Sequence, residues 1–118
     1  MTAEVMAMAE PSPADRRALA AIAGRLAQAG FALPGTLTDR TIRCGKPACR
    51  CARDPARLHG PYHQWTRKVD GKTVTVNLTD EQAARYQPWF ANAQALRALL
   101  SELEELSLRI ASQAEGWH

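Results

Sequence analysis

Residues 62–78, YHQWTRKVDGKTVTVNL, set the dipeptide Asp70-Gly71 between two runs of alternating side chains. Asp-Gly is a strong two-residue hairpin signal, because both central positions of the tight turn need left-handed backbone. With that turn, Val69 faces Lys72, Arg67 faces Val74, Trp65 faces Val76 and His63 faces Leu78. These residues share one mostly apolar face. Tyr62, Gln64, Thr66, Lys68, Thr73, Thr75 and Asn77 share the other. The first face can cover a core, while the second is rich in hydrogen-bonding groups.

Upstream, TLTDRTIRC alternates in the same way and reads as a short strand after the turn signal Pro34-Gly35. Further back, Ser12 fits a helix N-cap, with Pro13 at the first helical position and Asp15 three residues after the cap. Leu19, Ile22, Ala23 and Leu26 recur at helical spacing, and Gly30 is the expected stop. Downstream, Thr79 and Gln82 form a capping box that opens the last helical segment. Pro88 is expected to divide that segment, as a kink or as the start of a second helix. Leu96, Leu99, Leu103, Leu106 and Ile110 then form a 3–4 stripe. The stripe is expected to pack on helix 13–29 or on a second copy as a coiled-coil-like dimerisation face.

The fold class that follows is α+β: an N-terminal helix, a small metal-bound β element with a hairpin, and a long C-terminal helix. In chain order the expectation is a disordered 1–11, a helix over 12–30, a basic zinc-binding β element over 36–78 and a helical segment over 79–113. At 118 residues this is one domain with a modest core, which a metal or a partner subunit would reinforce. No apolar run approaches the roughly 20 residues that cross a bilayer, so no membrane association is expected. The first residues, MTAEVMAMAEPSP, lack the basic start and apolar core of a secretory signal, and a cytoplasmic location is the expectation.

The stretch before the hairpin, CGKPACRCARDPARLHGPYH over 44–63, holds all three cysteines and two of the three histidines. Thiolates and imidazoles are the usual ligands of tetrahedral zinc, and closed four-ligand sites are structural. Cys44, Cys49, Cys51 and His59 form the candidate set, with His63 as the alternative fourth ligand. His59 is preferred because it precedes the Gly60-Pro61 turn, whereas His63 faces the apolar side of the hairpin. An odd number of clustered thiols favours a metal over disulfides. Lys46, Arg50 and Arg53 would offset the charge of three thiolates. Cysteines without a ligand, and an iron–sulfur cluster, are the alternatives. No nucleophile–base–orienter pattern, phosphate-binding glycine loop or carboxylate pair stands out, so the expectation is a non-enzymatic protein.

Charge is distributed unevenly. Residues 36–76 carry nine Lys and Arg against three Asp, a net of +6, whereas 77–118 carry three Arg against six acids. Basic charge around the cysteines suggests an anionic partner. The residues expected to contact DNA or RNA are Arg43, Lys46, Arg50, Arg53, Arg57, Gln64, Thr66, Lys68, Lys72, Thr73 and Thr75.

The run CGKPACRCA, then HGPYHQWTRKVDGKTVTVNL, then the leucine-rich segment resembles a small bacterial family of unknown function. Its members show C-G-K-P-x-C-x-C, then H-G-P-Y, a hairpin and a leucine-rich helix. The resemblance covers about residues 36–110. It implies a link to transposons and mobile elements, and carries the ligand pattern over to Cys44, Cys49, Cys51 and His59. Position 63 in that family is more often aromatic. The leading functional expectation is a zinc-stapled nucleic-acid-binding accessory protein. The alternative is an adaptor that dimerises, or binds a transposase-type partner, through Leu96 to Ile110.

Overall fold

A computed structural model describes residues 10–117 of the chain. The expected disorder over 1–11 falls mostly on residues 1–9, which lie outside the described residues, as does His118. The elements are helix α1 (Pro13–Ala27), strand β1 (Thr36–Ile42), strand β2 (His59–Val69), strand β3 (Lys72–Leu78) and helix α2 (Asp80–Glu115). Two single 3₁₀ turns, Arg50–Ala52 and Pro55–Arg57, lie between β1 and β2. The fold is α+β, as expected. The residues sort into two compact units, one of Phe31–Ala93 and one made from the chain up to Gly30 together with the chain from Gln94 onward.

In the unit spanning 31–93 the three strands form one antiparallel sheet in the order β1-β2-β3. The β2–β3 register is the one read from the Asp-Gly turn, from Val69↔Lys72 to His63↔Leu78. Asp70 (φ 51°) and Gly71 (φ 79°) both adopt the left-handed backbone that this turn requires. Strand β1 adds to the free edge of β2, with Thr36 opposite Thr66, Thr38 opposite Gln64 and Arg40 opposite Tyr62. The register shifts between Arg40 and Ile42, a bulge that bends the chain away from the ladder and into the cysteine loop.

One sheet face is covered by the first part of α2. The Trp65 and Phe90 rings meet edge to face at 5.9 Å, and Trp89 meets Phe31 at a tilt (5.1 Å) and Tyr86 edge to face (5.2 Å). The Trp65 indole donates to the Pro34 carbonyl at 2.8 Å, and the Arg67 guanidinium lies 4.1 Å above its ring. Thr79 and Gln82 exchange the two bonds of the expected capping box, 2.9 and 3.1 Å.

Pro88 does not start a second helix: α2 is continuous from Asp80 to Glu115. A proline eight residues in costs one backbone hydrogen bond and crowds the carbonyl of Ala84. Tertiary contacts on both sides of it offset that loss. Besides the aromatic pairs, the Leu33 amide donates to the Trp89 carbonyl (3.1 Å) and Asn92 donates to the Phe31 carbonyl (2.8 Å).

In the other unit α1 pairs with the later part of α2. Ser12 and Asp15 form a reciprocal capping box at 3.1 Å each way. The helix stops at Ala27 with Gln28 as its C-cap, three residues before the expected Gly30. Gln28 and Ala29 donate back to the Arg25 and Leu26 carbonyls, which tightens the last turn without a left-handed glycine. Ile22, Leu99 and Leu106 are the buried core, with Ala18, Leu26, Leu103 and Ile110 packed around them. Most of the expected stripe is therefore used within the chain. Leu19, expected on the buried face of α1, is 48% exposed.

Candidate metal centre

The bulge delivers Cys44 from the end of β1, and Gly45 (φ 83°) turns the chain beyond it. Cys49 caps the 3₁₀ turn Arg50–Ala52, inside which Cys51 is fully buried. Asp54 caps the next turn by accepting from the Ala56 amide at 3.0 Å, and the chain re-enters the sheet at His59, the first residue of β2. Gly60 follows with φ 107°, and a Cβ there would lie 2.7 Å from the Arg40 carbonyl oxygen. Only glycine lets β2 start this close to β1, which explains the glycine of HGPY.

This loop brings together the four residues expected as ligands. One ligand atom from each of Cys44, Cys49, Cys51 and His59 lies within 4.8 Å of all the others. The Cys44 and Cys51 sulfurs are 3.5 Å apart, and the Cys49 sulfur is 3.3 Å from His59 Nε2. Tetrahedral zinc with bonds of about 2.3 Å to sulfur and 2.0–2.1 Å to nitrogen gives edges of about 3.5–3.8 Å, so a contraction of at most about 1 Å would close the cluster on one ion. The geometry fits a four-coordinate metal, and the donor set of three sulfurs and one imidazole matches closed structural sites.

The electrostatics divide the thiols. The Cys51 amide, with the Cys51 and Cys44 thiols behind it, holds the Cys49 pKa below its ordinary 9.0. At Cys51 the Cys44 amide, 3.4 Å from its sulfur, favours the thiolate, but burial and the neighbouring thiols outweigh it and push the pKa up. A bound cation would reverse that balance and deprotonate the buried thiol. Backbone amides favour thiolate at both positions, whereas the neighbouring sulfurs favour it at Cys49 and oppose it at Cys51. Lys46, Arg50 and Arg53 are all exposed.

His63 lies away from the cluster. Its Nδ1 is 2.6 Å from Asp39 and its Nε2 is 2.7 Å from Asp80, so both ring nitrogens are already engaged. Its pKa is raised from 6.5, first by the Asp39 hydrogen bond and then by the Asp80 one. The structure thus favours His59 over His63 as the fourth ligand.

Of the residues expected to meet nucleic acid, Arg43, Lys46, Arg50, Arg53 and Arg57 are exposed around the metal loop. Gln64, Thr66, Lys68, Thr73 and Thr75 share the sheet face opposite α2. Lys72 pairs with Val69 and so stands on the other face. Thr36, Thr38 and Arg40 join the open face through the β1 pairing, a contribution the sequence reading lacks. Its signal was the alternation of TLTDRTI. The strand is legible in that pattern, but its partner is not.

No helix among the described residues is long and apolar enough to cross a membrane. No curated protein and no solved structure was found to match the chain. One family model matches residues 13–87, which takes in α1, the whole sheet, the cysteine loop and the start of α2. That span begins earlier and ends earlier than the 36–110 over which the resemblance is drawn. The chain, with its four-ligand cluster between two strands of one sheet, belongs to the DUF6788 family, a domain of unknown function.

Proposed function

We propose that the chain is a nucleic-acid-binding accessory module in which a structural zinc ion, held by Cys44, Cys49, Cys51 and His59, fixes a basic loop beside a polar sheet face. The observation that carries this reading is the coincidence of charge and shape. The stretch 36–76 has a net charge of +6, and the side of its sheet away from α2 carries hydrogen-bonding side chains on all three strands. Lysine and arginine at the ends of such a face can neutralise phosphates, and amides and hydroxyls between them can meet bases. Zinc is preferred because a donor set of three thiolates and one imidazole suits it best among common ions. The mobile-element role implied by the family resemblance is the setting this reading would fit.

The test is a fluorescence-anisotropy titration of zinc-loaded protein against generic duplex DNA at low and physiological salt. Binding should weaken steeply with salt, because each neutralised phosphate releases counterions. A variant with Arg50, Arg53 and Lys68 changed to Gln should bind more weakly with a shallower salt slope. If it binds like the parent at every salt concentration, the proposal fails.

A second reading, association with a copy or with a larger transposase-type partner, is favoured by one observation. Leu100 (53%) and Leu108 (61%) remain exposed on α2 after the core residues are used, as does Leu19 on α1. Sedimentation equilibrium of the parent against Leu100→Asp and Leu108→Asp tests it without touching the helix-pair core.

A further inference from the structure

We propose that the open face of the sheet enters the major groove of B-form duplex DNA and that Gln64 and Asn77 contact base edges there; the inference rests on the nucleic-acid reading above. The dimensions select the groove. Three strands spaced about 4.8 Å apart put the outer strand axes about 10 Å from each other. With the strands' own width the whole sheet is about 15 Å across. Strand β2 and one neighbour therefore fill a B-DNA major groove of about 12 Å, the third strand lies over its rim, and a minor groove of about 6 Å is too narrow. An RNA duplex hides its major groove in a deep, narrow cleft that no sheet enters. Single strands are usually held by several stacking aromatics, and this face offers one, Tyr62, because Trp65 points to the covered side.

The register sets the spacing. Outward residues two apart along a strand are about 6.8 Å apart, the rise of two base pairs at about 3.4 Å. Four cross-strand rows face outward. At the metal end is Arg40 with Tyr62, then Thr38 with Gln64 and Asn77, then three threonines, and at the turn Lys68 with Thr73. They extend about 20 Å, enough for about six base pairs.

Within that face the polar groups are not equally free. Thr66 and Thr75 bond each other at 3.2 Å, and Lys68 donates to Thr73 at 2.8 Å. The Gln64 and Asn77 amides, opposite one another on β2 and the edge strand β3, engage no such partner among the described residues. Amide side chains pair in bidentate fashion with adenine N6 and N7, and Arg40, two residues along β1 from Thr38, suits guanine. Cationic residues stand in the first and the last row, Arg40 on β1 and Lys68 on β2, so positive charge faces the duplex at both ends of the strands.

The experiment selects sites from randomised short DNA duplexes with the metal-loaded full chain, then measures anisotropy on the enriched and the unselected duplexes. The expected result is an enriched sequence of about six base pairs that contains adenine. Guanine N7 protection should accompany binding, and distamycin, a minor-groove ligand, should not compete. Gln64→Ala/Asn77→Ala is checked for parental metal content and circular dichroism, and its affinities for the selected and the unselected duplex are read as a ratio. It should lose about tenfold or more of its preference for the selected site, the worth of one good bidentate contact. Salt-sensitive binding without enrichment, displacement by distamycin, full preference in the double variant, or tighter binding to the same sequence as single strand or RNA duplex each overturns this inference and leaves the proposed function standing. No binding to any nucleic acid overturns both.

Discussion

His63 Nε2 lies 2.7 Å from Oδ1 of Asp80, which joins the middle strand of the sheet to the first residue of α2, and the other ring nitrogen meets Asp39 of β1 at 2.6 Å. One imidazole therefore ties three elements, and it ties them best when charged. Its pKa in the folded chain is raised, so the stabilisation is fully present below the unfolded value of about 6.5 and is lost as pH rises through the folded pKa. Tm should fall as pH rises through that window. The difference between parent and His63→Gln should shrink over the same range, while thiol titration in the cysteine loop affects both proteins alike. A pH-independent difference between the two would contradict the charged tie.

Metal content distinguishes the two histidines. Zinc-loaded parent should bind one ion per chain, and Cys51→Ser and His59→Gln should each lose it or hold it far more weakly. His63→Gln should retain it. Chelation should lower Tm and release the ion in one step, since binding energy at such sites is folding energy. Elemental analysis with calorimetry reads both outcomes.

Gly60→Ala should destabilise the fold by about 1–3 kcal/mol, because it places a side chain at φ 107° and drives its Cβ to 2.7 Å from the Arg40 carbonyl. Urea unfolding of the metal-loaded protein measures this. A cost close to zero would mean that β1 can move away from β2 at the bulge.

Leu99→Ala and Leu106→Ala should each cost about 2–5 kcal/mol, as both side chains are buried against α1. Leu100→Ala, at 53% exposure, should cost far less. Equal costs at positions 99 and 100 would place Leu100 in an interface with another chain.

Pro88→Ala should stabilise the protein by about 1–3 kcal/mol, because it restores an amide donor to the Ala84 carbonyl in an unbroken helix. Destabilisation instead would mean that the bend proline imposes is needed to seat Trp89 and Phe90.

The parts of this fold that are legible in the sequence are those decided locally. Asp70-Gly71 dictates its own turn and, through a period of two, the whole β2–β3 register. The capping boxes at Ser12 and Thr79 lie within four residues of chain. The Cys44, Cys49, Cys51 and His59 cluster is legible because its chemistry is rare and its positions close. Legibility ends where a partner is distant. That β1 would pair with β2 depends on a bulge and on a loop closed by the cluster, neither of which has a periodic signature. The Asp39 and Asp80 partners of His63 are 24 and 17 residues away, in ordinary surface positions. At Pro88 the second helix that a local rule allows does not form, because aromatic packing on both sides outweighs one missing hydrogen bond.

The cluster sits where Cys44 leaves β1 and His59 begins β2, so an ion there would substitute for the tight turn this long connection lacks. A loop of residues 43–58 left open pays an entropic penalty that an ion could cancel. Without that clasp β1 is held by its ladder and the Asp39–His63 contact alone, and if these give way β2 becomes an exposed edge with unpaired amides and carbonyls. Metal loss would then do more than soften the fold. It would convert a capped sheet into an open template for other strands, so metal-depleted protein should aggregate through β pairing at temperatures where the loaded chain stays dispersed.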